Sequence, residues 1–409
     1  MTPEQVARRR AIEALRSGVP SWDAVAALGS GQAEAEDRCV KLLDRAEGGK
    51  AGGLLLGAGF GAGKSHLLMH LAHLATERGF AVSTVVISKE TPLHDPAKVF
   101  RAAVESMLGP GRTAGLLPEA TAALDPESAR YTELTRWLHS AAGPDERFAA
   151  TLLLHERLRG GDAPDAEETV QGLVRFWAGD PIRVPELRRS LKAMGEGGTY
   201  TLGAVTAREL ARQRFGFVAR LLRAAGHAGW LLLLDEVELV GRYSLLQRGR
   251  SYAEIARWVG GDPGDRTAPL AAVLAMTDDY DAAVLVGKDD RGLLPGRLRD
   301  KQTDEWTETA ALAEAGMRAI SRDVLLLEQP DSTELDRAYR VLKELHGQAY
   351  DWEPPDVPGL ERLGATRMRQ YVRAWINAWD LIRLDPDYRP ATEIVEVQAS
   401  YEEQEAFDG

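Results

Sequence analysis
Apolar positions recur along this chain at two periods, and each switch between them marks the boundary of a predicted strand or helix. Residues 3–17 repeat apolar side chains at helical spacing and stop at Gly18 and Pro20. A second helical stretch covers about 33–46, after the Gly29-Ser30-Gly31 break. Gly52–Leu56 is a short apolar run between glycines, the pattern of a buried strand. The loop Gly57–Gly63 follows, and then a helix from Lys64 to about Arg78. Ala81–Ser88 is β-branched and predicts the next strand, and Asp95-Pro96 has the N-cap and first-turn chemistry of a new helix.

From about 105 to 215 the pattern is helical, broken near Gly109–Gly115 and Gly160–Pro164. That is too long for a connection between neighbouring strands and predicts an inserted helical subdomain. Strands resume at Trp230–Leu234, Leu270–Met276 and Asp323–Leu327. Helical patterns around Asp331–His346 and Thr366–Leu384 follow, then an acidic tail from about Ala391. Strands apolar throughout and alternating with helices predict an α/β fold, a parallel sheet covered on both faces. The expected organisation is an N-terminal helical segment (1–48), a core (49–329) holding the insertion, a helical lid (330–390) and the tail (391–409).

Composition narrows the function classes. The 409 residues are 44% hydrophobic and 27% charged, the profile of a globular chain, and no apolar run is long enough to span a bilayer. The N-terminus lacks the apolar core of a signal peptide, and a single cysteine, Cys39, fits a reducing compartment, so the expected location is cytoplasmic. With one Cys and 8 His there is no zinc spacing. A net charge of −12 argues against binding nucleic acid by bulk charge.

The chemistry concentrates in two places. Ala58-Gly59-Phe60-Gly61-Ala62-Gly63-Lys64-Ser65 fits the P-loop pattern, with alanine where the first glycine usually stands. Glycines let successive backbone N–H groups close around a phosphate, and the helix that follows adds its positive end. Lys64 is then the charge for the β- and γ-phosphates of ATP, Ser65 a ligand to Mg²⁺, and His66 the next residue of the same loop. Trp230–Leu234 runs into Asp235 and Glu236. Asp235 would hold the Mg²⁺ shell and Glu236 would polarise the attacking water, which suits a hydrolase.

With those residues in place, the chain resembles the additional-strand P-loop ATPases, and among them the AAA+ class near the Orc/Cdc6 type. More closely, it is similar to the bacterial DUF2791 P-loop proteins, which include BREX phage-defence ATP-binding proteins of the BrxD type. The resembling stretches are Arg9–Leu28, Gly57–Leu68, Val86–Phe100 and Gly229–Val240. The resemblance implies anti-phage defence and a partner protein in a helicase-like or methylation-linked system, and a homo-oligomer is expected besides. It also implies further positions: Thr277 as a polar sensor past the Leu270–Met276 strand, Arg367 as a lid arginine, Arg297 or Arg299 as a finger acting on a neighbouring subunit, and Leu28 with Gly29 cradling adenine. Turn chemistry at Thr277 and solvated arginines at the other positions are the alternative readings.

Other groups have two readings each. His66, His70 and His73 share a helix face at ligand-like spacing without a recognisable fourth ligand. Arg242, Arg248, Arg250 and Arg257 form either a solvated face or a stripe that follows duplex DNA through an assembled ring, without sequence preference. Arg208, Arg212, Arg214, Arg220 and Arg223 share that ambiguity, and Trp375 with Trp379 reads as helix packing. The expected function is a Mg²⁺-dependent AAA+-like ATPase acting on DNA or a partner protein. The alternative is a non-hydrolysing ATP-dependent switch or scaffold.

Overall fold
A computed structural model of the protein describes residues 2–19, 21–59, 61–111, 115–159, 166–260, 266–357 and 368–388. Helices α1 (Pro3–Ser17), α2 (Trp22–Leu28) and α3 (Ala33–Glu47) precede strand β1 (Gly52–Gly57). Then come α4 (Lys64–Glu77), β2 (Ala81–Val86) and α5 (Pro96–Glu105), with α6 to α10 lying within residues 116–193. Helix α11 (Ala207–Ala224) leads into β3 (Trp230–Asp235), a 3₁₀ turn (Val237–Arg242) and α12 (Leu245–Val259). After β4 (Leu270–Met276) follow a π-helical turn (Asp281–Val286), α13 (Asp290–Arg299), α14 (Asp304–Arg322), β5 (Leu325–Leu326), α15 (Ser332–Tyr350) and α16 (Met368–Leu384).

The expected α/β architecture is present. All strands run parallel, in the order β2-β3-β4-β1-β5. Strand β4 therefore sits between β1 and β3, and the loops leaving those three strands open on one carboxyl edge of the sheet. Both faces are covered, so neighbouring residues of a strand enter opposite helical layers. Leu232, Leu234, Ala272 and Leu274 pack among residues of α5, α11, α12 and α14. Leu231, Leu233, Ala271 and Val273 pack among those of α3 and α4. Helices α12 and α14 cross so closely that a Cβ on Gly316 would lie 2.0 Å from the Tyr252 carbonyl oxygen, an approach only glycine permits.

The last strand differs from its sequence pattern. The strand expected over Asp323–Leu327 is reduced to β5, because Asp323 is taken up in closing α14. The stretch 105–215 contributes to the main core: Phe148, Phe176 and Trp177 join the cluster that contains Phe215 and Trp230. Among the described residues it also has a small satellite core of its own, including Leu154, Leu173, Leu187 and Leu191.

The chain's N-terminal helices close on its C-terminal ones. Ala11, Ile12 and Leu15 of α1 share a core with Leu342 of α15 and with Trp375, Ile376 and Trp379 of α16. Arg9 Nε donates to the Ala349 carbonyl at 2.7 Å, and Arg16 pairs with Asp380 at 2.5 Å. Trp375 and Trp379 are thus packing residues, and Trp379 Nε1 donates to the Pro355 carbonyl. Among the described residues no helix is long and apolar enough to cross a membrane. The acidic tail from Ala391 and Arg367 lie outside the described residues.

Candidate functional site
At the carboxyl end of β1 the backbone turns through Gly61 and Gly63, whose φ angles of 78° and 99° belong to the left-handed region. Gly63 stands at the N-cap of α4 without a side-chain cap, so the first N–H groups of that helix are left for another acceptor. Phe60 lies outside the described residues. Lys64 is buried, with Nζ donating to the Ala58 carbonyl at 3.0 Å and lying 3.7 Å from Glu238 Oε1. Ser65 meets a different carboxylate. Its Oγ donates to Asp235 Oδ2 at 2.7 Å, joining the start of α4 to the end of β3.

The acidic side of the site is strongly constrained. Asp235 is buried, and its Oδ1 accepts from the Glu236 backbone N–H at 2.9 Å. Glu236 has φ 59°, a left-handed conformation that a non-glycine residue adopts at a local cost. Burial, and then the charge of Asp235, push its carboxyl above the ordinary range, against the pull of Lys64, Arg242 and Arg369. Glu238, two residues on, is more deeply buried, and desolvation pushes it up to about 7 despite Lys64 beside it. Its Oε2 is buried and has no hydrogen-bond partner.

Thr277 directly follows β4 and is buried between the two motifs at the sheet edge. Next to it, Asp278 Oδ2 would lie 3.6 Å from a Cβ on Gly59. A cavity of about 640 Å³ opens beside Ala62, Gly63 and His66. Leu28 and Gly29 line it, as do Arg337 of α15 and Arg369 of α16. His66 Nε2 meets the Gly29 carbonyl at 2.7 Å, so the loop after α2 is tied to the first turn of α4. Burial keeps the His66 imidazole below its ordinary pKa. The cavity rim is closed by Gln32, whose side-chain amide both donates to and accepts from the Glu328 backbone at 3.0 Å.

Sequence reasoning missed Glu238, Gln32 and Arg369. Arg369 lies two positions after Arg367 and is the described arginine that reaches the cavity and the charge of Glu236. Arg367 itself lies outside the described residues. Arg297 and Arg299 are exposed on α13 and do not line this cavity, and Arg299 pairs with Glu314 at 2.5 Å.

The arginine stripe is largely engaged within the fold. Arg248 is only 3% exposed and forms a two-pronged pair with Asp290, with Nε and Nη2 at 2.8 Å from its two oxygens. Arg250 stacks over Trp306 at 4.3 Å and Arg257 pairs with Glu308. Reading Arg248 as a surface charge is therefore corrected: α12 turns that residue into the protein. Arg212 pairs with Glu254, while Arg214 donates to the Phe176 and Asp180 carbonyls. Of the helical histidines, His70 meets Glu36 at 3.1 Å and His73 meets Glu77 at 3.2 Å. No cluster of three or more metal-binding side chains occurs among the described residues.

The stretch from α1 through β1, the glycine loop, α4, β2 and α5 is also where a family likeness is found. Residues 4–117 match the family model described as BREX system ATP-binding protein BrxC/D. Over that stretch the resemblance read from the sequence holds. The match covers the glycine loop, Lys64 and Ser65 and ends before Asp235 and Glu236. No curated protein matches the chain significantly.

Proposed function
We propose that this chain is a Mg²⁺-dependent P-loop ATPase of AAA+ type, acting in a BREX-like anti-phage system. The observation that supports it most is the Ser65–Asp235 hydrogen bond, which joins residues 170 positions apart at the carboxyl edge of a parallel sheet. A hydroxyl and a carboxylate are hard oxygen donors, the set that Mg²⁺ takes while keeping several waters. When bound, the ion would draw charge from the phosphate oxygens. The strand order, with β4 between β1 and β3, and the BrxC/D match support the same reading.

In this reading the N–H groups of Gly59 to Ser65 surround the β-phosphate and Lys64 turns towards the β- and γ-phosphates. Leu28 and Gly29 take the adenine side of the cavity, with His66 holding Gly29 in place. Glu236 orients and deprotonates the water, Thr277 senses the γ-phosphate, and Arg369 links α16 to the phosphates. Arg297, exposed on α13, is the candidate to act on a neighbouring copy. Engagement of Arg248, Arg250 and Arg257 inside the fold favours a protein partner over duplex DNA.

Calorimetry with ATP, with and without Mg²⁺, and phosphate-release assays test the reading. ATP should bind, Mg²⁺ should tighten it, and phosphate should be released. A folded protein that binds no ATP overturns the site, and binding without any turnover leaves the switch in its place.

A further inference from the structure
Lys64, the one residue of the glycine loop whose charge a phosphate would need, is already in contact with a carboxylate. That carboxylate belongs to Glu238, in the 3₁₀ turn that follows Asp235-Glu236. Both side chains are nearly inaccessible, at 8% and 6%, and Nζ lies 3.7 Å from Oε1. The other Glu238 oxygen, Oε2, is buried with nothing to bond to. A half-satisfied buried carboxylate is costly, and it is tolerated here because a cation sits beside it.

We propose that the Glu238 carboxylate and the β- and γ-phosphates compete for Lys64, so that ATP binds by taking Lys64 away from Glu238. This rests on the proposed nucleotide site and deepens it. Lys64 reaches Glu238 and the Ala58 carbonyl in the same conformation, so turning it towards a β- or γ-phosphate gives up both contacts. What remains is a buried carboxylate next to Asp235, Glu236 and the incoming phosphates, all of them negative. Its charge then opposes binding unless it takes up a proton, and burial, which pushes its carboxyl up to about 7, makes that accessible near neutrality. Glu238 thereby tunes affinity for the polyphosphate without touching the base or ribose.

Replacing Glu238 by Gln keeps the shape and removes the competing charge. Glu238→Met does the same with an apolar side chain of similar size, in case the amide disturbs folding. Wild type and both variants are stripped of nucleotide and titrated with Mg·ATP, ADP and AMP. The expected result is that each variant that folds binds ATP about tenfold more tightly than wild type, on the scale where tenfold equals ~1.4 kcal/mol. ADP should gain less, and AMP, which brings no β- or γ-phosphate to Lys64, should gain nothing. Unchanged or weaker ATP binding in the variants overturns the inference, and so does an equal gain for AMP. Absence of ATP binding in wild type and variants alike would overturn the nucleotide site itself.

Discussion
Ser65 on α4 and Asp235 at the tip of β3 are bonded directly, Oγ to Oδ2, at 2.7 Å. The contact places the two residues proposed to share Mg²⁺ within reach of one ion, and it gives the buried Asp235 carboxylate a partner. Ser65→Ala should therefore abolish the Mg²⁺-dependent gain in ATP affinity while leaving Mg²⁺-free binding within about threefold. The loss of one hydrogen bond to a charged group should cost about 1.5–3 kcal/mol of stability. Titrations with and without Mg²⁺, paired with denaturant unfolding, check both parts.

Glu236→Gln should bind Mg·ATP as wild type does and lose turnover by about 10²–10⁴-fold, the range for removing a general base. The amide keeps the side chain's shape but accepts no proton. Single-turnover phosphate release is the measurement. A rate near wild type would assign the base elsewhere, with Asp278 beside Gly59 the next residue to replace.

Arg297 is separable from Arg299, because Arg299 is paired with Glu314 and Arg297 is exposed on the same helix. If sites form between copies, an Arg297→Ala protein with an intact glycine loop should regain activity when mixed with Lys64→Ala protein. Arg299→Ala should cost less. A chain that stays monomeric with ATP bound would rule out action between subunits.

The buried Arg248–Asp290 pair, which Tyr252 joins by donating to Asp290 at 2.7 Å, should matter for stability and not for charge at the surface. Asp290→Leu or Arg248→Met alone leaves its partner uncompensated and should cost about 3–5 kcal/mol. Removing both, as Arg248→Met with Asp290→Leu, should recover a large part of it. Urea unfolding of the three variants gives the cycle.

Acid should destabilise the fold through His155. Burial beside Trp177 holds its imidazole down at about 4, against an ordinary value of 6.5, so it stays neutral in the folded chain. Between about pH 6.5 and pH 4 the unfolded chain binds the extra proton, and stability falls as pH drops through that window. Above it the contribution is constant. His155→Gln should flatten this part of the pH dependence of the melting temperature relative to wild type.

How far the sequence could be read follows from the range of each interaction. Gly61, Gly63, Lys64 and Ser65 are neighbours in sequence, and Asp235-Glu236 ends an unbroken apolar run, so both halves of the candidate site were legible as local patterns. The same holds for the strands: residues buried on both faces have to be apolar at every position, and Trp230–Leu234 and Leu270–Met276 are. Arg242, Arg248, Arg250 and Arg257 were legible only as a charge pattern. Whether such a helix residue faces water depends on what crosses it, and Asp290 reaches Arg248 from another helix.

By itself, then, the sequence determined the central strands and the short motifs that end them, because those depend on spacing and turn chemistry within a few residues. Tertiary structure alone decided that β4 lies between β1 and β3, that α1 packs on α15 and α16, that Arg369 reaches the cavity, and that Glu238 meets Lys64 from 174 positions away. The physical reason is that a buried ion pair or a strand order is the outcome of which distant surfaces exclude water together. A periodicity says that a face is apolar, but not which other face will cover it.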